Sequence, residues 1–229
     1  MNEISLEQDL RNLLSAYVKV APHESNREGI HLHTSAYNRY SPIADVLFTS
    51  QLEVPQEIKE IRSLLSASVL LVRECASGEG SAITQLIHNF ADNNRHMKLY
   101  INGYEDPKST ISVLNFNYLV NFAGSPLIDI AQNRIYQRDL REPHPEEDNV
   151  DLAIIGFVHQ YMSENEFINA VTNTFLKTKV LVLIPANSRG IVQGDNGGYR
   201  NALFIYSLNG ELKTYINEVN TPNNFCTIQ

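Results

Sequence analysis

Apolar positions recur at helical spacing near the start of the chain, where Leu6, Leu10, Leu13 and Leu14 predict a helix from Ser5 to Ala16 with Ser5 as its N-cap. Tyr17-Val18-Lys19-Val20 then alternates as a short strand does and stops at Pro22. A second helix is predicted from Pro55 to Ala67, with Pro55 in its first turn and Ile58, Ile61, Leu64 and Leu65 on one face. The apolar run Val69–Val72 follows as a strand. Ser163 begins a third helix reaching Thr178, and Glu166 three residues later completes a capping-box pattern. Val180–Ile184 reads as a strand ended by Pro185, and Val150–Val158 as a buried strand.

Three joints look alike. LLSAYVKV from Leu13, LLSASVLLV from Leu64 and FLKTKVLVL from Phe175 each run from a helix end into a strand. A polar loop follows each one, and then a segment of the type LFTSQLEVP, LYINGYEDP or TYINEVNTP. The pairs Phe48/Pro55, Tyr100/Pro107, Tyr136/Pro143 and Tyr215/Pro222 share one spacing. An internal repeat accounts for all of this. Asn209-Gly210, between two β-rich runs, is a hairpin signal.

SGEGS, residues 77–81, follows the second predicted strand and invites a phosphate-loop reading. Glu79 at its centre repels phosphate, no Gly-Lys-Ser/Thr follows, and the pair Gly78/Gly80 alone is a weak motif. Aligned with the third unit, Ile83–Ile87 reads as a strand of a hairpin turning at Asp92-Asn93-Asn94. Helical spacing of Ile83, Leu86, Ile87 and Phe90 is the alternative.

Composition narrows the function classes. The 229 residues carry 26 acidic and 18 basic side chains, a net charge of −8, with no dense basic cluster. Attraction to nucleic acid or to an anionic membrane is not expected. No apolar run approaches the ~20 residues of a membrane-spanning helix, and the acidic N-terminus is not expected to be a signal or transit peptide. Cys75 and Cys226 read as two reduced thiols of a cytosolic protein.

LLSAYVKVAP with DVLFTSQLEVP, and FLKTKVLVLIPA with GELKTYIN, resemble the N-terminal domain family of SseB, the enhanced-serine-sensitivity protein. VNFAGSPLID is similar to that family's Asn-Pro-Gly-Ser stretch in a changed order, and YIN stands for FTS in two units. The resemblance covers about half the chain and implies an α+β domain without an established catalytic site.

Candidate chemistry is sparse. His31 and His33 share one face of a strand and are the weak metal candidates, with no third ligand at a convincing spacing. Glu146-Glu147-Asp148 reads as a solvated acidic loop, and nothing brings Cys75 to His88 or His96. Arg27 and Arg189 recur in corresponding loops, where paired guanidinium groups grip carboxylates of a partner. The Gly-rich stretch 193–201, which contains Tyr199, reads as a contact loop.

The expected fold is therefore α+β: repeated helix–strand–hairpin units forming mixed or antiparallel sheets with short helices packed on them. Residues 1–140 form a first lobe and 150–229 a smaller second one, with 141–149 as linker; a single two-lobed domain is the other division. The expected function is a non-enzymatic, cytoplasmic protein-binding or adaptor protein without cofactor, using Arg27, Arg189, Gly78, Gly80 and Tyr199 to bind another protein, with a homo-oligomer compatible. A small α/β enzyme acting on a nucleotide or phosphorylated substrate at residues 77–81 is one alternative. A self-assembling structural protein of a virus or mobile element is the other.

Overall fold

Apolar side chains alternate between two faces along each central strand, so this chain builds one sheet with a core on either side. The structure is a computed structural model that describes residues 3–17, 46–48, 53–75, 96–103, 128–137, 139–143, 149–156, 162–184 and 202–217. In chain order the elements are α1 (Glu3–Tyr17), α2 (Gln56–Leu64), β1 (Val69–Cys75), β2 (His96–Gly103), β3 (Ile128–Gln137) and β4 (Val150–Gly156), then α3 (Glu164–Phe175), β5 (Thr178–Ile184), β6 (Ala202–Leu208) and β7 (Glu211–Asn217).

The sheet has seven strands in the order β3-β2-β1-β4-β5-β6-β7. Pairing is parallel from β3 through β5, and antiparallel from β5 to β6 and from β6 to β7. β4 is buried over nearly its whole length and β5 over its last five residues, as a parallel strand covered on both faces must be. On one face Leu70, Val72, Leu152, Ile154, Val180, Val182, Phe204 and Tyr206 pack with Ile58 and Ile61 of α2. On the other, Ala153, Ile155, Leu181, Leu183, Leu203 and Ile205 pack with Leu10 and Leu14 of α1 and with Phe167, Val171 and Phe175 of α3. At about 25 cal/mol per Å² of apolar surface, these two layers supply the main drive to fold.

Local signals place the element ends. Ser163 caps α3, accepting from the Glu166 amide while the Glu166 carboxylate accepts from the Ser163 amide, so the capping box forms as its residues predict. Asn209 (φ 54°) and Gly210 (φ 82°) make the β6–β7 turn at the expected place. Other ends shift. α1 starts before Ser5, which lies inside the helix instead of capping it. Pro55 is the N-cap of α2, not a first-turn residue. α3 ends at Phe175 because β5 takes over from Thr178. Phe48, expected in a strand, is helical together with Val46 and Leu47, and the Val46 carbonyl accepts from Arg62 Nε at 2.9 Å.

The larger correction concerns how the strands meet. The sheet is mixed and carries helices on its faces, but it is of the α/β type, and among the described residues the helix–strand–hairpin unit does not recur. The sequence places β1 and β2 in one unit with a strand at 83–87 between them; they pair directly and parallel, in continuous register from Val69↔His96 to Cys75↔Asn102. Only the β6–β7 connection is a hairpin among the described residues. β1 and β4, from either side of residues 141–149, pair directly. Residues 139–143 dock on α3: Leu140 is buried, and Asn173 Nδ2 donates to the Arg141 carbonyl at 3.1 Å. Residues 83–87 lie outside the described residues.

Candidate functional site

Strand order decides where a site can form. From β1 the chain moves outward through β2 to β3, then returns to the other side of β1 for β4 and moves outward again through β5. The strand order therefore reverses between β1 and β4. In open sheets of this kind the crevice left between such neighbours is where ligands bind.

β1 ends there in Arg73-Glu74-Cys75, and β4 in Ile154-Ile155-Gly156, with Cys75 paired with Ile155 across the ladder. Arg73 is fully buried, Glu74 is 4% exposed, and Cys75 is a buried thiol outside any disulfide. Strand alternation puts Glu74 on the face of Leu70 and Val72, and Arg73 on the face of Cys75 and of α1 and α3. Glu74 and Arg73 thus lie buried at the edge where the strand order reverses. Glu74 is the one carboxylate among the described side chains at the carboxyl ends of β1, β4 and β5. Residues 76–80, with Gly78 and Gly80, follow Cys75 directly in sequence.

At the start of β4, Asp151 plays a different part. Its carboxylate accepts from the Leu71 amide at 2.9 Å and from Lys179 Nζ at 2.7 Å, tying β1, β4 and β5 together. Near the start of β5, a cleft of about 270 Å³ is lined by Gln56, Glu57, Glu60, Tyr206, Lys213 and Thr214. Glu60 accepts from Tyr206 Oη at 2.9 Å and from Lys213 Nζ at 3.0 Å. The Lys213 hydrogen bond, then that of Tyr206, holds the Glu60 carboxyl below its usual range. Burial, and then the Glu60 carboxylate, push the Tyr206 phenol up. These groups satisfy one another and clamp α2 to the hairpin.

The residues singled out from sequence, Arg27, Arg189, Gly78, Gly80, Tyr199, His31 and His33, all lie outside the described residues. Among the described residues no group of three His, Cys, Asp or Glu side chains is placed to hold a metal ion, and no helix is long and apolar enough to cross a membrane. Sequence reasoning passed over Arg73 and Glu74. Their signal was an adjacent charge pair ending an apolar run just before a Gly-rich stretch.

No protein-family profile matches the chain, and no curated protein sequence matches it. Solved structures do. An O-methyltransferase family protein from Burkholderia thailandensis is 13% identical with a TM-score of 0.42, over 68% of this chain and 47% of that one. A putative S-adenosyl-L-methionine-dependent methyltransferase from Methanococcus maripaludis is 12% identical, TM-score 0.40, over 78% and 63%. A SAM-dependent methyltransferase from Aquifex aeolicus is 16% identical, TM-score 0.35, over 63% and 71%. The match thus spans about half of the Burkholderia protein and under two thirds of the Methanococcus one. None of these solved structures is described as an SseB domain, and the described strands pair parallel from β3 through β5, unlike the α+β units that the SseB resemblance implied. That resemblance, the adaptor function drawn with it, and the phosphate-loop and self-assembly alternatives are corrected accordingly.

Proposed function

We propose that this chain binds S-adenosylmethionine at the carboxyl ends of β1 and β4 and acts as a methyltransferase. The observation that carries the reading is the reversal of strand order between β1 and β4, which opens a crevice at that edge. The names of the solved structures above supply the ligand to test first.

The charge at the crevice fits that ligand. S-adenosylmethionine carries a sulfonium and an ammonium group, and a cation of this kind needs a carboxylate where water is excluded. Glu74 provides one at the end of β1, and the parallel ladder on both sides of β1 fixes its backbone. When bound, the cofactor supplies an electrophilic methyl group. The chain's own contribution at this edge is to fix the cation through Glu74 and to exclude water through the apolar ends of β4 and β5. Tight packing of Ile154, Ile155, Leu183 and Ile184, all at most 2% exposed, makes that edge dry from below.

Isothermal titration of the full chain with S-adenosylmethionine tests this. The expected dissociation constant lies on the order of 1 µM to 1 mM, the range of enzyme ligands. Glu74→Gln is expected to weaken it about tenfold, the loss of a charge-assisted bond. Absence of heat at millimolar ligand would sink the reading. Equal binding by a folded Glu74→Gln variant would remove Glu74 from the site.

A further inference from the structure

Asn-Gly occurs three times in this chain, at Asn102-Gly103, Asn196-Gly197 and Asn209-Gly210. In such a pair the side-chain amide is one ring closure away from the next backbone nitrogen, and glycine puts no Cβ in the way of that nitrogen. The fold treats the pairs differently. Asn102 and Gly103 end β2, where Asn102 is paired with Cys75 of β1 on one side and Tyr136 of β3 on the other, and Gly103 with Gln137. Closing a ring there would break the ladder between two neighbouring strands. Asn209 and Gly210 lie beyond the last ladder pair of their hairpin, Leu208↔Glu211. Both are exposed, both have positive φ, and a Cβ placed on Gly210 would meet nothing within 4 Å. The turn must open for the ring to close, and a hairpin tip is the part of a sheet that opens at least cost. Asn196 lies outside the described residues.

We propose that Asn209 is a site of spontaneous deamidation, at which the Gly210 backbone nitrogen displaces the side-chain amide. The bond from Gly210 N to Asn209 Cγ forms, the Cγ–Nδ2 bond breaks, and ammonia leaves with the proton that Gly210 gives up. Water then opens the five-membered imide. Attack at Cγ restores the ordinary backbone with an aspartate at position 209. Attack at the backbone carbonyl of residue 209 leaves that residue linked to Gly210 through its side chain. Either way one amide becomes one carboxylate, and the hairpin gains a negative charge near Glu211. The two products differ in consequence. A left-handed turn accepts Asp as it accepts Asn. The side-chain linkage instead adds one carbon to a two-residue loop whose length fixes the register of β6 on β7. Lys213, two residues beyond Glu211, holds Glu60 of α2 at 3.0 Å, so a loss of register reaches the contact that fastens α2 to the hairpin. The reaction needs only the chain and water, so it stands independently of the proposed activity.

The full chain, held at physiological temperature and pH for several weeks and then digested with trypsin, tests this by mass spectrometry. Trypsin puts Asn102, Asn196 and Asn209 in separate peptides, and fragmentation locates the mass gained when an amide becomes a carboxylate. Asn209 is expected to convert about tenfold faster than Asn102, because a doubly paired strand costs more to open than a turn. In urea the two rates are expected to converge, since Ile101 and Leu208 precede the two pairs and the sequence contexts are alike. An intact Asn209 in the folded chain overturns the proposal, as does equal conversion at Asn102 and Asn209. Anion exchange separates the converted chain by its added charge. Hydrogen exchange at residues 207–212 is expected to quicken in that fraction, and an unchanged hairpin would overturn the loss of register.

Discussion

At the residue scale, Arg141 holds more together than its place in a polar segment suggested. Its guanidinium forks onto Asp139, with Nε at 2.8 Å from Oδ1, while Nη1 reaches Glu166 at 2.9 Å. The segment 139–143 is thereby fastened to the first turn of α3. Arg141→Ala is expected to cost about 1–2 kcal/mol of stability, since the pair is partly exposed and screened but bidentate. Urea unfolding measures it. Ser163→Ala removes the cap of the same turn and is expected to cost about 1 kcal/mol. The Glu166 carboxyl is held below the usual carboxylate range, first by the Ser163 amide and then by its hydroxyl. A carboxyl whose folded pKa is depressed adds stability that is full above the unfolded pKa and disappears as pH falls through the folded one. Wild-type stability should therefore drop on acidification below about pH 4.5, and the drop should be shallower in Ser163→Ala. A pH-independent difference between the two proteins would contradict this role for Glu166.

Among the elements, the β6–β7 hairpin is the clearest case of local chemistry setting structure. Gly210 sits at φ 82°, and a Cβ there would meet nothing within 4 Å. Gly210→Ala therefore isolates the backbone cost, expected at about 1 kcal/mol. A loss above the range of a single left-handed residue would mean that the turn carries more than conformational strain. This hairpin, the capped start of α3 and the apolar faces of α1 and α2 were readable because each depends on residues within one or two turns of one another. Strand segments were readable too: Val69, Val150 and the run from Val180 each begin or lie in the strands that their apolar content marks. Their direction of pairing was not. β4 is apolar on both faces, so it carries no alternation to reveal what covers it, and parallel pairing with β1 joins residues about eighty positions apart. Local hairpin signals then favoured antiparallel units, of which the described residues form one, β6–β7. The same distance hid the reversal of strand order, which exists only after β4 has come to lie beside β1. Ile154 occupies that junction. Ile154→Ala is expected to lose 2–5 kcal/mol, about the cost of a buried isoleucine truncated to alanine, as read by thermal or urea unfolding.

For the whole molecule, the sheet sorts its tasks by edge. The amino ends of β1, β4 and β5 are tied by Asp151 and Lys179, and the Glu60–Tyr206–Lys213 cluster binds α2 to the hairpin. Their polar groups pair with one another, which suits a structural role. At the carboxyl ends, Arg73 and Glu74 lie buried beside the point where the strand order reverses. A ligand that binds the folded chain at that edge would stabilise it. Hydrogen exchange of the full chain, with and without S-adenosylmethionine, separates the two edges in one measurement. The account expects slower exchange at residues 73–75 and 154–156 in the presence of ligand, with the amides of 178–180 unchanged. Protection confined to the amino ends of the strands, or no change anywhere at saturating ligand, would contradict it.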